Sequence, residues 1–439
     1  MAELETSSLR GNKKVIRAWT VYDWANSVYQ LSITSAILPA YFGAVAKGDE
    51  AGYVSFFGFQ IINTTLYAWA VSASFLIVAL FSPLLASIAD YTGRRKLFMQ
   101  IFTYTGAIGC ASLYFFTPGN LEFGIIAFVI AGIGYSGGLV FYHAWLPEIA
   151  PKGMEDRISA RGYALGYIGG VVLLIANLIM LLKPELFGIQ PGGMAARISF
   201  VTVGIWWIGF AQITFAYLPK YFKTKTSKKH QIINGYRELR RVFAQFLSQR
   251  VLKRFIAGFF FTMMAVLTVM YMAANFGKKE LGLEDEVLIP TILIIQLVGV
   301  IGSIGFARLS ERIGNIRALI IAVVIWVGIC VGAYFVFDAK GFMILAAFVG
   351  LVMGGVQALA RSTYARLLPQ NDDDHTAYFS FYDVAEKFAV VLGTFFYGLL
   401  ELITGSMRAS ILLLGVLFLI GLVFFLLIRN EKALLPATK

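Results

Sequence analysis

Apolar residues in this chain come in long runs separated by short polar turns. A run of about 20 apolar residues is long enough to cross a bilayer as a helix. Strands of a membrane barrel would alternate apolar and polar positions, and these runs do not. Backbone groups in lipid must be satisfied within the segment, so helices are predicted throughout. Twelve spans are read this way, roughly at 16–43, 62–89, 97–117, 122–146, 159–182, 197–219, 251–276, 287–307, 316–337, 341–366, 378–403 and 408–429. One connection stands apart: 220–250 is polar and basic. Within it Ile232, Tyr236, Leu239, Phe243 and Phe246 recur at helical spacing, while Arg237, Arg240, Arg241 and Gln245 fall on other faces. That pattern predicts an amphipathic helix, either lying on an anionic membrane surface or simply linking two parts of the chain.

Composition agrees with a polytopic membrane protein. The 439 residues are 58% hydrophobic and only 14% charged, where a soluble domain carries about 25%. The net charge of +12 could suggest nucleic acid, but the placement of the charges argues otherwise. With the N-terminus in the cytoplasm, most of the 37 lysines and arginines fall on the cytoplasmic side, including Arg10, Lys13, Lys14, Arg17, Arg94, Arg95, Lys96, Arg157, Arg312, Arg317 and Arg366. Lys47, Lys183, Arg197, Lys278, Lys279, Lys340 and Arg408 fall on the other side. This asymmetry predicts an integral protein of the inner or plasma membrane with both termini cytoplasmic, and it accounts for the basic charge without nucleic acid. Cys110 and Cys330 lie in mid-run and have no metal-ligand spacing or disulfide pattern. The opening MAELETSSLRGNKK is polar and is read as no removable signal peptide.

The chain repeats itself. "ASIADYTGRRK" after the second span parallels "ARLSERIGNIR" after the eighth, so that Asp90 and Gly93 match Glu311 and Gly314. "LPEIAPKGMEDRISARGYALGYIGG" from Leu146 parallels "LPQNDDDHTAYFSFYDVAEKFAVVLG" from Leu368 at nearly the same offset. The expected architecture is an all-α membrane protein of twelve transmembrane helices in two six-helix bundles. The expected boundaries are 1–219 for the first bundle, 220–250 for a cytoplasmic linker with its amphipathic helix, and 251–439 for the second. Parallel six-helix halves place a binding site between them near the bilayer midplane.

At these residues the chain resembles the major facilitator superfamily. "ADYTGRRK" is similar to that group's signature after the second helix, with Ala86 in place of its usual first glycine. Within it, "YDWANSVY", "YHAWLPEIA…RISARGYALGYIGG" and "GGVQALARSTYARLLP…FSFYDVAEKFA" resemble the UMF1 family, which includes the vacuolar autophagy-related amino-acid effluxers of yeast. The resemblance implies a twelve-helix transporter of the major facilitator fold that works by alternating access. It also implies a cytoplasmic gate built from Asp90, Gly93, Arg94 and Arg95 with Glu311 and Arg317. Physically, a carboxylate in that turn can pair with a helix N-terminus across the seam, and Gly93 permits the tight turn. Read without the resemblance, the same residues are topology charges.

Charged and amide groups inside spans are functional candidates by default, because they are costly in hydrocarbon. Asp23 lies roughly 10 Å into the first span. Asn26, Ser27, Gln30 and Thr34 follow on the same helical face. That face lines a pathway or makes interhelical hydrogen bonds, and Asp23 is a candidate proton carrier. Gln60, Asn63, Thr64 and Tyr67 form a similar stripe near the outer end of the second span, where solvation alone explains it. In the eleventh span Asp383 and Lys387 are spaced i, i+4. They form a self-neutralising pair, with Glu386 bound elsewhere, or they present Lys387 to a carboxylate substrate or a titrating acid. Arg361, with Gln357 four residues earlier, holds a substrate anion or Asp383, or makes a structural or gating pair. His143, beside Tyr142, is a satisfied hydrogen-bonding residue or a proton relay. Glycines 162, 166, 169 and 170, and 350, 354 and 355, have the spacing of close helix packing. No phosphate-binding loop and no nucleophile–base set is visible, so neither ATP-driven transport nor an enzyme is expected, and no cofactor or metal.

The sequence therefore predicts a monomeric secondary transporter of a small polar metabolite, amino acids first, with proton-coupled export. Efflux of amphipathic compounds or lipids is one alternative. A non-transporting membrane sensor or scaffold is another.

Overall fold

A computed structural model describes residues 9–47, 53–190, 193–220, 231–368, 375–404 and 407–429. The first span is α1 (Lys13–Val28), a π-helical stretch (Tyr29–Ile37) and α2 (Leu38–Val45), continuous with one another. An antiparallel hairpin follows, β1 (Tyr53–Phe56) and β2 (Phe59–Ile62). Then come α3 (Asn63–Thr92), α4 (Arg95–Ser112), α5 (Leu121–His143), the short α6 (Leu146–Ile149), α7 (Glu155–Leu182) and α8 (Met194–Tyr217). α9 (Gln231–Ser248) leads into the second half: α10 (Arg250–Lys279), α11 (Asp285–Ile313), α12 (Asn315–Tyr334), α13 (Ala339–Leu367), α14 (His375–Thr404) and α15 (Met407–Arg429).

All twelve predicted spans are helices, with ends moved by a few residues. Ten are long and apolar enough to cross a membrane by length and composition. The other two are α4, which opens on Arg95 and Lys96, and α14, which carries Asp383, Glu386 and Lys387. The protein is an all-α membrane protein of two six-helix bundles, and its packing repeats. In the first half the first span packs on α7 and α8, α3 on α5, and α4 on α5 and α8. In the second, α10 packs on α14 and α15, α11 on α13, and α12 on α13 and α15. The seam between the halves is built from α7 against α11 and α3 against α14, the same pair of positions taken once from each half.

The glycines do what their spacing predicts. A methyl on Gly166 would meet Ser27, on Gly169 Trp24 and on Gly170 Leu31, so α7 lies closely against the first span. Gly350 and Gly354 face the backbone of Ile295 and Gly299 in the same way. Gly93 ends α3 in the left-handed region, φ 66°, which permits the tight turn at little steric cost.

Three expectations change. The hairpin was unpredicted; it turns on Phe57 and Gly58, both with positive φ, as a two-residue turn requires. Gln60 consequently sits in a strand and does not extend the polar stripe of α3. The amphipathic helix is present as α9, but it is docked on the bundle: it packs on α3 and buries Val242 and Phe246. Residues 221–230 of the linker, and the acidic run at 371–374, lie outside the described residues.

Candidate functional site

Asp23 lies about 15 Å along α1, counted from Lys13 at 1.5 Å per residue. Its Oδ2 accepts from the Tyr142 hydroxyl at 2.7 Å and from Nη1 of Arg361 at 3.1 Å. Arg361 comes from α13, so this pair crosses the seam. The guanidinium is fully buried and fully dressed. It donates to Oγ and the carbonyl of Ser159 at 2.9 and 2.7 Å. It also lies over the rings of Tyr163, Trp19 and Tyr142 at 4.1, 5.0 and 5.5 Å. A buried arginine needs such an inventory, because each unmet donor costs free energy. Among the described residues Arg361 pairs with Asp23 and not with Asp383.

Asp383 is buried on α14 beside an ammonium and an imidazole. Its Oδ1 is 3.1 Å from Lys387 Nζ and 3.6 Å from Nδ1 of His143, which comes from the other half. The i, i+4 pair is thus formed. Glu386 is not bound elsewhere: its Oε2 lies 3.3 Å from Lys387 Nζ. Adjacent residues on a helix do not face each other, so the flexible lysine stem bends between the two acids.

Above these pairs lies a cavity of about 110 Å³. Asp23, Asn26, Ser27 and Gln30 line it from the first span, His143 from α5, Gln357 from α13, and Glu386 and Lys387 from α14. Tyr135, Tyr163, Tyr167, Tyr271 and Gln296 complete its polar wall. Tyr167 donates to Gln357 across the seam at 2.7 Å, and Tyr135 to Gln30 at 2.7 Å. Ser35 rather than Thr34 reaches the cavity. The cause is the π-helical stretch, which holds more residues per turn than an α-helix and so advances the facing position by one.

Toward the Asp90 end, further contacts cross the seam. Asp90 Oδ1 accepts from Nε of Arg95 at 2.6 Å, and its Oδ2 from the backbone N–H of Ala377, in the first turn of α14, at 2.9 Å. Arg95 reaches Glu148 at 3.2 Å, and Glu148 also meets Nδ1 of His375 at 2.7 Å. In the other copy of the turn, Asp156 of α7 accepts from Ser310 at 2.9 Å and pairs with Arg366 at 2.8 Å. Glu311 is left at the surface, 3.5 Å from Arg157. Arg94 and Arg317 are exposed. Of the expected gate residues, Asp90 and Arg95 belong to the buried contacts at the seam, Gly93 shapes the turn that carries Asp90, Glu311 crosses to Arg157 of α7 at the surface, and Arg94 and Arg317 are exposed.

Known proteins resemble this chain along its length. The family described as "Vacuole effluxer Atg22 like" matches residues 11–155 and 148–437. The chain belongs to that family. It is 30% identical over 418 residues to the uncharacterized MFS-type transporter YxiO of Bacillus subtilis, covering 95% of each chain. It is 23% identical to autophagy-related protein 22 of Yarrowia lipolytica, covering 86% of this chain and 78% of that one. In fold it is similar to the proton:xylose symporter XylE, with a TM-score of 0.74 over 97% of this chain and 96% of that one, at 12% identity. Family and fold together make this a transporter of the major facilitator type and not an enzyme. Among the described residues no cluster of histidine, cysteine and acid side chains fits a metal ion.

Several residues at this site escaped the sequence reading. Ser159, Tyr163 and Tyr167 lie one helical turn apart on α7, inside the glycine pattern that was read only as packing. Glu148, Asp156, Arg366 and His375 stand near helix ends, where charge is usual and a buried partner leaves no mark in the sequence. The signal available was the repeat: Glu148 and Asp156 fall within its second landmark.

Proposed function

We propose that this transporter moves a small polar metabolite, amino acids first, by alternating access, with protons as the coupling ion and export as the direction. The observation that carries the reading is the cavity between the halves. Its wall combines two carboxylates, an ammonium and four amides, with an arginine behind Asp23. Such a wall offers partners to a polar cargo and penalises an apolar one, since buried polar groups left unmatched cost free energy. The lysine and arginine asymmetry supports placing the Asp90 end in the cytoplasm, where the crossing contacts act as the gate. Closing and opening would rock 1–219 against 251–439.

In this reading Asp23 links proton and gate. Ionised, it holds Arg361 across the seam; protonated, it loses the charge that pairs with the guanidinium, and the halves can part. His143, facing Asp383, offers a second titrating contact between the halves. Efflux of amphipathic compounds is the second reading. It draws support from a separate apolar cavity of about 70 Å³ within the second half, walled by residues such as Phe276, Phe342 and Val349.

Thermal-shift screening of purified protein against polar and amphipathic metabolites separates the two, because a ligand of the folded state raises its stability. A polar stabiliser is expected; stabilisation by amphipaths alone overturns the reading. With that ligand in proteoliposomes, a pH gradient is expected to drive accumulation by the native protein but not by Asp23→Asn. Undiminished accumulation in the variant would end the role given to Asp23.

A further inference from the structure

α9 stands outside the cavity yet touches both sides of the seam. Its inner edge buries Val242 and Phe246. It packs on α3, the helix that carries Asp90. It meets α14 through Phe246, whose ring lies 5.6 Å from that of Phe381, and through Gln245, which accepts from the Tyr378 hydroxyl at 3.1 Å. Tyr378 follows Ala377, the residue whose N–H binds Asp90. The helix thus rests on both partners of one seam contact.

Its outer face is of a different kind. Arg237, Arg240 and Arg241 are exposed, and the only acid within Gln231–Ser248 is Glu238. Phe243 and Leu247 are each 46% exposed and lie one turn apart, beside Arg240 on the helical wheel; Phe243 also rests against Phe381 of α14, 5.6 Å between rings, so it edges the outer face and Leu247 lies on it. A basic face edged by exposed apolar side chains is the arrangement of a helix at a bilayer surface, with arginines among phosphates and apolar groups at the acyl boundary. Basic side chains near an anionic surface each strengthen binding by about fivefold.

We propose that the outer face of α9 binds anionic phospholipid headgroups, and that this binding presses the helix onto α3 and α14 and so holds the Asp90–Ala377 contact closed. The occupant is a lipid surface because charge complementarity and the exposed Phe243 and Leu247 are found together; an acidic peptide would answer only to the charge.

Hydrogen exchange on the full chain in nanodiscs tests this. Phosphatidylcholine alone is compared with phosphatidylcholine containing phosphatidylglycerol. Anionic lipid is expected to slow exchange several-fold both in α9 and in the first turns of α14, and high salt to remove the effect, because screening shortens electrostatic reach. R237Q/R240Q is expected to match the native protein in neutral lipid and to lose most of the response to phosphatidylglycerol. Equal exchange in the two lipids overturns the lipid site, as does a double variant that responds fully. Slowing in α9 alone, with α14 unmoved, overturns the coupling to the seam. Soluble polyglutamate protecting neutral-lipid nanodiscs as well as phosphatidylglycerol does would replace lipid by an acidic peptide.

Discussion

In the first half the acid that crosses the seam sits in the turn: Asp90, at the end of α3, reaches the N-terminal backbone of α14. At the second-half turn the turn's own acid, Glu311, lies at the surface against Arg157, and the buried acid that crosses the seam is Asp156, in the first turn of α7. There Ser310 donates to it from the turn. Each acid has an arginine beside it, Arg95 in one case and Arg366 in the other. The repeat thus preserves the meeting of a turn with a helix start, and exchanges which of the two carries the charge. The geometry of the contact recurs between the halves, while its acid sits in the turn at one copy and at the helix start at the other.

The comparison is most exposed to failure at the two acids around the second-half turn, Asp156 of α7 and Glu311 of α11. Asp156→Ala removes the buried acceptor shared by Ser310, Asn315 and Arg366, leaving Arg366 with Glu155 alone as its acid, and is expected to cost about 3 kcal/mol in unfolding of the purified protein, as loss of one member of a buried pair does. Glu311→Ala is expected to cost at most about 1 kcal/mol, the range of a surface ion pair. Equal losses would mean that the charge has not changed sides. A smaller effect is expected of Asp90→Asn, which keeps an oxygen for the Ala377 N–H but removes the charge facing Arg95. About 2 kcal/mol is expected, in the range of hydrogen bonds to charged groups. A loss below that of Glu311→Ala would show that Asp90 contributes no more than a surface residue.

The two glycines sharpen the contrast further. Gly314 has φ 89° and ψ 152°, a region nearly closed to other residues, so Gly314→Asn is expected to cost about 1–2 kcal/mol. Gly93, at φ 66° and ψ 19°, is in the left-handed region that asparagine visits, so Gly93→Asn is expected to cost only a few tenths of a kcal/mol. Comparable thermal shifts for the two variants would show that the turns are not constrained differently.

The spans were legible because their signal is long and repeated; no local misreading can erase twenty apolar residues. The repeat, too, was legible, and with it the seam. The hairpin was not, since "YVSFFGFQII" is short and its turn is Phe-Gly rather than a sequence with strong turn chemistry. In the site, the face of the first span lines the cavity as far as Gln30 at the spacing a 3.6-residue period predicts, and Ser35 rather than Thr34 follows, because the stretch from Tyr29 to Ile37 does not keep that period. The pair Asp383–Lys387 could be read from spacing alone. Asp23–Arg361 could not, because its members are 338 positions apart and nothing in either segment names the other.

That irregular stretch, Tyr29–Ile37, behaves like a screw thread cut with a coarser pitch. Returning it to α-helical winding would turn everything beyond it by roughly 100°, the angle of one residue. Ser35 would leave the cavity wall and Thr34 would take its place, with no break in the rod. A helix with a stored fraction of a turn can re-index the side chains it shows to a passing solute while the end before that stretch stays seated and the end beyond it turns.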